Sequence, residues 1–222
     1  MPIESVRMPK VDWVETIKTM LSEMADSVQS AIDMSVKAFF TGDDKLAANV
    51  LELEDKLDRK EIVIEEYIVS ILEREKPTGY YLRFAISALK INNDLERMAD
   101  LSADISHAAL NIRKHKKMDF PALLPMMIDR SRHLLKRSIA AMIEENMGLA
   151  LQVRGEDVVV DRYSRELLAE LSSKGVTRPD TVPTLMNILL VVRSVERIGD
   201  LATNIAEGVI YLVEGTIVRH SF

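Results

Sequence analysis

The sequence predicts an all-α protein made of two tandem three-helix bundles, six helices related by internal duplication. Three observations predict it. Asp94-Leu95-Glu96-Arg97-Met98-Ala99-Asp100-Leu101 returns one hundred residues later as Ser194-Val195-Glu196-Arg197-Ile198-Gly199-Asp200-Leu201. A repeat at a long fixed interval sets the architecture. Long segments place apolar residues at alternating spacings of three and four, the period of a helix with one buried face. No segment alternates like a strand over a useful length, and with 8 glycines, 7 prolines and 5% aromatic residues the 47% hydrophobic content is largely aliphatic, which suits helices.

The first ten residues have two prolines and no period, and read as a loose arm. Helix 1 is expected over residues 11–40, where Val14, Ile17, Leu21, Met24, Val28, Ala31, Ser35 and Phe39 form a near-heptad seam. Thr41-Gly42-Asp43 closes it: Gly42 suits a left-handed C-terminal position, and Asp43 accepts orphan amide hydrogens of the next helix. Helix 2 spans 44–75, with Leu46, Val50, Leu53, Leu57 and Ile64 inward, and Lys76-Pro77-Thr78-Gly79 breaks it. Helix 3 spans 80–115. Residues 115–121 read as the joint between halves. Helix 4 is expected over 122–153, with Ile128, Leu135, Ser138, Ile139, Met142 and Leu149 inward. Arg154-Gly155-Glu156 is expected to repeat the turn of the first half. Helix 5 then spans 156–173, burying Val160, Tyr163, Leu167 and Leu171, and is shorter than helix 2. Lys174-Gly175, Pro179 and Pro183 make the next turn, helix 6 spans 184–214, and His220-Ser221-Phe222 is a tail. The two bundles are expected at 11–115 and 119–215.

Composition narrows the function classes. The formal net charge is −6, and no basic stripe is present, which argues against nucleic acid as a partner. The run from Lys114 to Lys117 reads as a solvated turn. The chain has no cysteine, which excludes disulfides and thiolate metal sites and fits a reducing compartment. The N-terminus lacks an apolar signal core, and no apolar run approaches the roughly 20 residues needed to span a bilayer. A soluble, cytoplasmic protein is the expectation.

The repeated motif holds the chemistry. With Leu82, Ala85, Ile86 and Leu89 taken as the buried face of helix 3, Asn93, Glu96, Asp100 and Asp104 fall on that same face. In helix 6, Leu185, Met186 and Leu189 lead likewise into Glu196, Asp200, Asn204 and Glu207. The carboxylates are therefore expected on the apolar face, where each needs a cation or a proton. Glu54/Asp58 on helix 2 and Asp157/Asp161 on helix 5 flank their own stripes. A spacing of four puts two carboxylates on one helix face, so two such pairs on neighbouring helices can converge. Composition alone yields roughly 2.5 acid-x-x-x-Asp pairs; the chain has five, and four recur in the same order, middle helix then last helix, in both halves. An oxygen-rich, sulfur-free set suits hard cations. A structural cluster of carboxylates with Arg97, Arg197 and lysines stays open beside a metal site. A diiron oxygenase needs Glu-x-x-His on two helices; Asp104-Ile105-Ser106-His107 is the nearest approach, and its counterpart is Glu207. His107 reads as a partly buried polar residue. No phosphate-binding glycine loop, nucleophile elbow or HExxH motif occurs.

Tandem three-helix halves, each ending in a long helix with Glu-Arg-x-[Gly/Ala]-Asp, resemble the PhoU family, accessory regulators of phosphate-specific transport. The resemblance runs from about residue 11 to 215. Leu95 to Asp100 matches with Ala99 for the usual glycine, and Val195 to Asp200 matches more fully. The resemblance implies a non-enzymatic negative regulator that links a phosphate ABC transporter ATPase to a sensor histidine kinase, as a homodimer peripheral to the membrane. It also implies multinuclear iron or zinc clusters on Glu54, Asp58, Glu96 and Asp100 in one half, and on Asp157, Asp161, Glu196 and Asp200 in the other. Arg193 stands where Asn93 stands and can replace a cation in the second half. The rival readings are a metal-dependent hydrolase or oxygenase on the same carboxylates, and a metal-free helical adaptor for another transporter.

Overall fold

The computed structural model describes residues 12–115 and 118–215, the side chain of Val176 aside. The N-terminal arm, the C-terminal tail, and Lys116 and Lys117 of the basic run lie outside the described residues. The architecture is all-α: α1 (Asp12–Thr41), α2 (Asp44–Glu75), α3 (Gly79–Ile112), α4 (Leu123–Glu144), α5 (Met147–Thr177) and α6 (Val182–Glu214), with a single 3-10 turn at Pro179–Thr181 before α6. No strand occurs among the described residues.

The α1–α2 connection forms as its residues dictate. Gly42 takes φ of 69°, and Asp43 Oδ1 accepts from the amides of Lys45 and Leu46 at 3.1 and 3.0 Å. Every residue of the α1 seam from Val14 to Phe39 is buried.

The second half departs from expectation at α4 and α5. The helix break is at Glu145-Asn146, not at Arg154-Gly155-Glu156. Glu145 adopts the left-handed conformation at φ of 52°, and Asn146 Oδ1 caps α5 by accepting from the Leu149 amide at 3.0 Å. Gly155 lies within α5, as does the Lys174-Gly175 pair. A glycine in a helix lacks side-chain contacts and costs only about 1 kcal/mol against alanine, so a well-capped helix runs through it. As a result α5 has 31 residues against 32 for α2, and the expected shortening of helix 5 does not occur. Leu149 belongs to the first turn of α5. Pro183 lies in the first turn of α6, where its missing N–H has no helical partner to lose.

Within each half the three helices pack on one another, and α3 lies along α6 while α1 touches α4. One hydrophobic core runs through both halves. Ser87 donates to the Gly208 carbonyl at 3.4 Å and Arg83 Nε to the Leu212 carbonyl at 3.3 Å, tying α3 to α6.

That packing reverses the expected orientation of the motif helix. Covered by α1, α2 and α6, α3 buries a wide arc rich in small residues: Ala85, Ser87, Ala88, Ile91, Leu95, Met98, Ala99 and Ser102. Leu82, Asn93, Asp100 and Asp104 share one face as expected, but that face is the outer one, with Leu82 38% exposed. On α6, Leu185 is buried while Met186 is 53% exposed. Alanine and serine, weak in hydropathy, permit close helix approach, so they occupy the crowded side and leave larger aliphatics at the edge.

Candidate metal centre

In the first half, α2 presents Glu54 and Asp58 one turn apart, and the neighbouring α3 presents Asp100. Each offers one carboxylate oxygen, all lying within 4.8 Å of one another. In the second half, Asp157 and Asp161 of α5 meet Asp200 of α6 by the same criterion. Three of the four candidate ligands in each half are thus brought together. Glu96 and Glu196 stand one helical turn before Asp100 and Asp200 and are half-buried.

The charges are in conflict. Burial pushes Glu96 up to about 7, with Asp100, Asp58 and Glu61 adding to the shift and Arg97 opposing it. Burial raises Glu54 and Asp100 also; Asp58 and Asp100 act on the first, and Asp58 and Asp104 on the second. In the second half burial lifts Asp157 to about 6, with Asp161, Asp200 and Glu196 adding, while Thr203 pulls it down. Burial raises Asp200, Arg197 offsets part of this, and Asp161 and Glu196 add to it. Arg197 Nη1 is 3.3 Å from Asp200 Oδ2, and Arg193 Nη1 is 2.9 Å from Glu196 Oε2.

A fully buried oxygen without a well-formed hydrogen bond among the described residues occurs in each trio: Oδ1 of Asp58, and Oδ1 of Asp157, whose carboxylate has only the Thr203 hydroxyl close by. An unpartnered buried carboxylate oxygen costs free energy that a cation would recover. Oxygen donors from two helices, mutual repulsion and these orphaned atoms fit a multivalent cation. In the second half Arg193 and Arg197 also pair with Glu196 and Asp200, so there the salt-bridge alternative left open by the sequence stands beside a cation.

Several residues matter beyond the expected eight. Gly199 lets α5 approach α6: a Cβ there would lie 3.2 Å from Val160 Cγ1 and 3.5 Å from Asp157 Oδ1. The motif's glycine position was the only sequence signal for this. Ser131 donates to the Val195 carbonyl at 3.0 Å and ties α4 to the motif turn. His107 is exposed, not partly buried, and with Glu54, Asp100 and Asp104 lines an open cavity of about 530 Å³. A larger cavity, about 970 Å³, lies at the joint of the halves against Phe40, Phe120 and Arg178, and shares no residue with either trio.

A PhoU domain model matches residues 21–109 and again 124–209. The chain belongs to the PhoU family. It is 33% identical over 208 residues to the phosphate-specific transport system accessory protein PhoU homolog of Pseudomonas aeruginosa, covering 93% of this chain and 86% of that one. The phosphate-specific transport system accessory protein PhoU of Escherichia coli is 29% identical over 210 residues, with the same coverage. The crystal structure of PhoU from Pseudomonas aeruginosa matches with a TM-score of 0.87 at 32% identity, over 91% of this chain and 97% of that chain. The PhoU structure from Streptococcus pneumoniae, 23% identical, shares the fold with a TM-score of 0.86. The PhoU relatives are named accessory and regulatory proteins, and among the described residues no helix is long and apolar enough to cross a membrane.

Proposed function

We propose that this PhoU protein is a non-enzymatic negative regulator of phosphate uptake and phosphate-starvation signalling. It links a phosphate ABC transporter ATPase to a sensor histidine kinase, acting as a homodimer at the cytoplasmic side of the membrane. Its carboxylate clusters hold iron or zinc. The observation that carries the metal part is the convergence of an Asp/Glu trio at the same place in both halves, each with an orphaned buried oxygen. The partner and signalling part rests on family membership.

Glu54, Asp58, Glu96 and Asp100 would hold one cluster, and Asp157, Asp161, Glu196 and Asp200 the other. When bound, metal supplies positive charge that cancels the repulsion between these carboxylates. Asp58 with Asp100, and Asp161 with Asp200, span the gap between middle and last helix, so the carboxylates fix how those helices lie. The outer face of α3 and α6 then presents a set surface to partners.

The test is genetic and biochemical. In the native host, loss of the chain is expected to raise a phosphate-starvation reporter in phosphate-rich medium, and re-expression to restore repression. The transporter ATPase and the kinase should co-purify with it. A reporter indifferent to the chain, with neither partner captured, overturns the reading.

A further inference from the structure

The two carboxylate clusters differ in how much of their own charge the protein cancels. Around the second, three arginines are in place. Arg193 holds Glu196 at 2.9 Å, Arg197 holds Asp200 at 3.3 Å, and Arg154 Nε is 3.6 Å from Glu207 Oε1. Around the first, Arg97 alone corresponds, and it makes no ion pair among the described residues. Aligning the repeats, Asn93 takes the place of Arg193, Leu51 that of Arg154, and His107 that of Glu207. Five carboxylates, Glu54, Asp58, Glu96, Asp100 and Asp104, therefore face one arginine in the first half. In the second, Asp157, Asp161, Glu196, Asp200 and Glu207 face three. Glu61 and Asp55 add further negative charge in the first half, where the second half has Ser164 and Val158, so the first cluster is the more negative by at least the charge of one divalent cation.

The surroundings differ in kind as well. The first cluster opens into the cavity of about 530 Å³ whose wall includes Asp104 and His107, three residues apart on one face of α3. The imidazole lies on that wall outside the trio of oxygens within 4.8 Å of one another; swung toward an ion in the cavity it would add a borderline nitrogen donor, which favours zinc or ferrous iron over magnesium or calcium. The corresponding pair in the second half is Asn204 and Glu207, and Arg154 occupies Glu207.

We infer that the two halves take up cations unequally: the first-half cluster binds divalent cations more tightly and in greater number, with His107 as a nitrogen ligand, while Arg154 and Arg193 take a cation's place in the second. The inference rests on the carboxylate clusters being metal sites.

The experiment titrates the chelator-stripped full chain with Zn²⁺, counting bound ions by native mass spectrometry and measuring affinity by calorimetry. Two classes of site are expected. Asp100→Asn should remove the tight class and Asp200→Asn the weak one. Arg193→Asn should tighten the weak class about tenfold, and His107→Gln should weaken the tight class about tenfold or more. His107 and Arg193 are exposed, and helix content by circular dichroism checks that both variants fold. Equal affinities in the two halves, with Arg193→Asn silent, overturn the inequality while leaving metal binding intact. A tight class unmoved by His107→Gln overturns the ligand assignment. No Zn²⁺ bound by the parent chain overturns both this inference and the metal reading beneath it.

Discussion

Lys18 Nζ lies 2.6 Å from Glu145 Oε1, joining the first helix of one half to the turn that ends α4 in the other. The side chains are only 15% and 27% exposed. Glu145 holds the left-handed backbone position that breaks α4 from α5, and burial followed by the Glu145 contact pushes the Tyr80 phenol well above its ordinary value. One ion pair thus couples a helix break to the packing between halves. Lys18→Met leaves Glu145 half-buried without its cation, and we expect a loss of about 1–3 kcal/mol. Urea denaturation checks it. Lys60→Met, which breaks the more exposed Lys60–Glu23 pair at 3.3 Å within the first half, should cost less than about 1 kcal/mol.

Metal-free protein should lose stability as pH rises. Glu96 at about 7 and Asp157 at about 6 exceed their ordinary values of 4.5 and 3.8, so between those limits the folded state binds more protons than the unfolded one. Stability falls wherever the native state holds the extra protons. The cost is absent below the unfolded values, grows through the window from about 4 to about 7, and is complete above it. Urea midpoints in chelator should therefore be lower at pH 8 than at pH 5.5. Saturating Zn²⁺ should reverse the slope, because metal binds the deprotonated carboxylates. A midpoint that rises with pH in chelator contradicts the electrostatic picture.

Gly199 sets the separation of α5 from α6 at the second trio. A Cβ there meets Val160 Cγ1 at 3.2 Å, and the two branch methyls of valine cannot be placed without moving α5. Gly199→Val should cost about 1–3 kcal/mol, and, by displacing Asp157, should lower Zn²⁺ content in the second half only. The corresponding Ala99 is fully buried in the first half, so Gly199→Ala should be far milder. Thermal melts and native mass spectrometry measure the two effects separately.

The sequence shows most clearly what local physics controls. Asp43 is a strong N-cap after a glycine, and the bounds of α2, 44–75, follow from it directly. The α1 seam is legible because eight positions obey one period. The α4–α5 break is not, because its stop is Glu145, a residue without left-handed preference, whereas Gly155 is a conspicuous breaker that nothing within 4 Å constrains. The left-handed Glu145 and the Asn146 cap decide there, and the helix runs on through Gly155. The repeated acid-x-x-x-Asp pairs locate both clusters, but not their exposure. Periodicity shows which residues share a face, and whether that face meets solvent depends on α6 covering the other side of α3. The arginines of the second cluster were legible only in part: Arg193 by comparison with Asn93, Arg154 only once α5 extended far enough back to carry it.

Asp100→Asn should change sign with metal. In chelator, Asp100 is a liability: burial and the neighbouring Asp58 and Asp104 raise its pKa, and Arg97 offsets only part of this. Removing its charge relieves Glu54, Glu96 and Asp58 together, so the variant should be more stable than the parent by about 0.5 kcal/mol after solvent screening. Asp200→Asn also removes a repelling charge but forfeits the Arg197 pair at 3.3 Å, so its gain should be smaller or absent. In saturating Zn²⁺ each variant has lost a ligand and should be less stable than the parent, since ligand bound to the native state alone adds to its stability. Urea midpoints for the three proteins, with chelator and with Zn²⁺ at pH 7.5, decide it. A variant destabilised equally in both conditions would mean that Asp100 serves an ordinary ion pair, and that the cluster exists for packing alone.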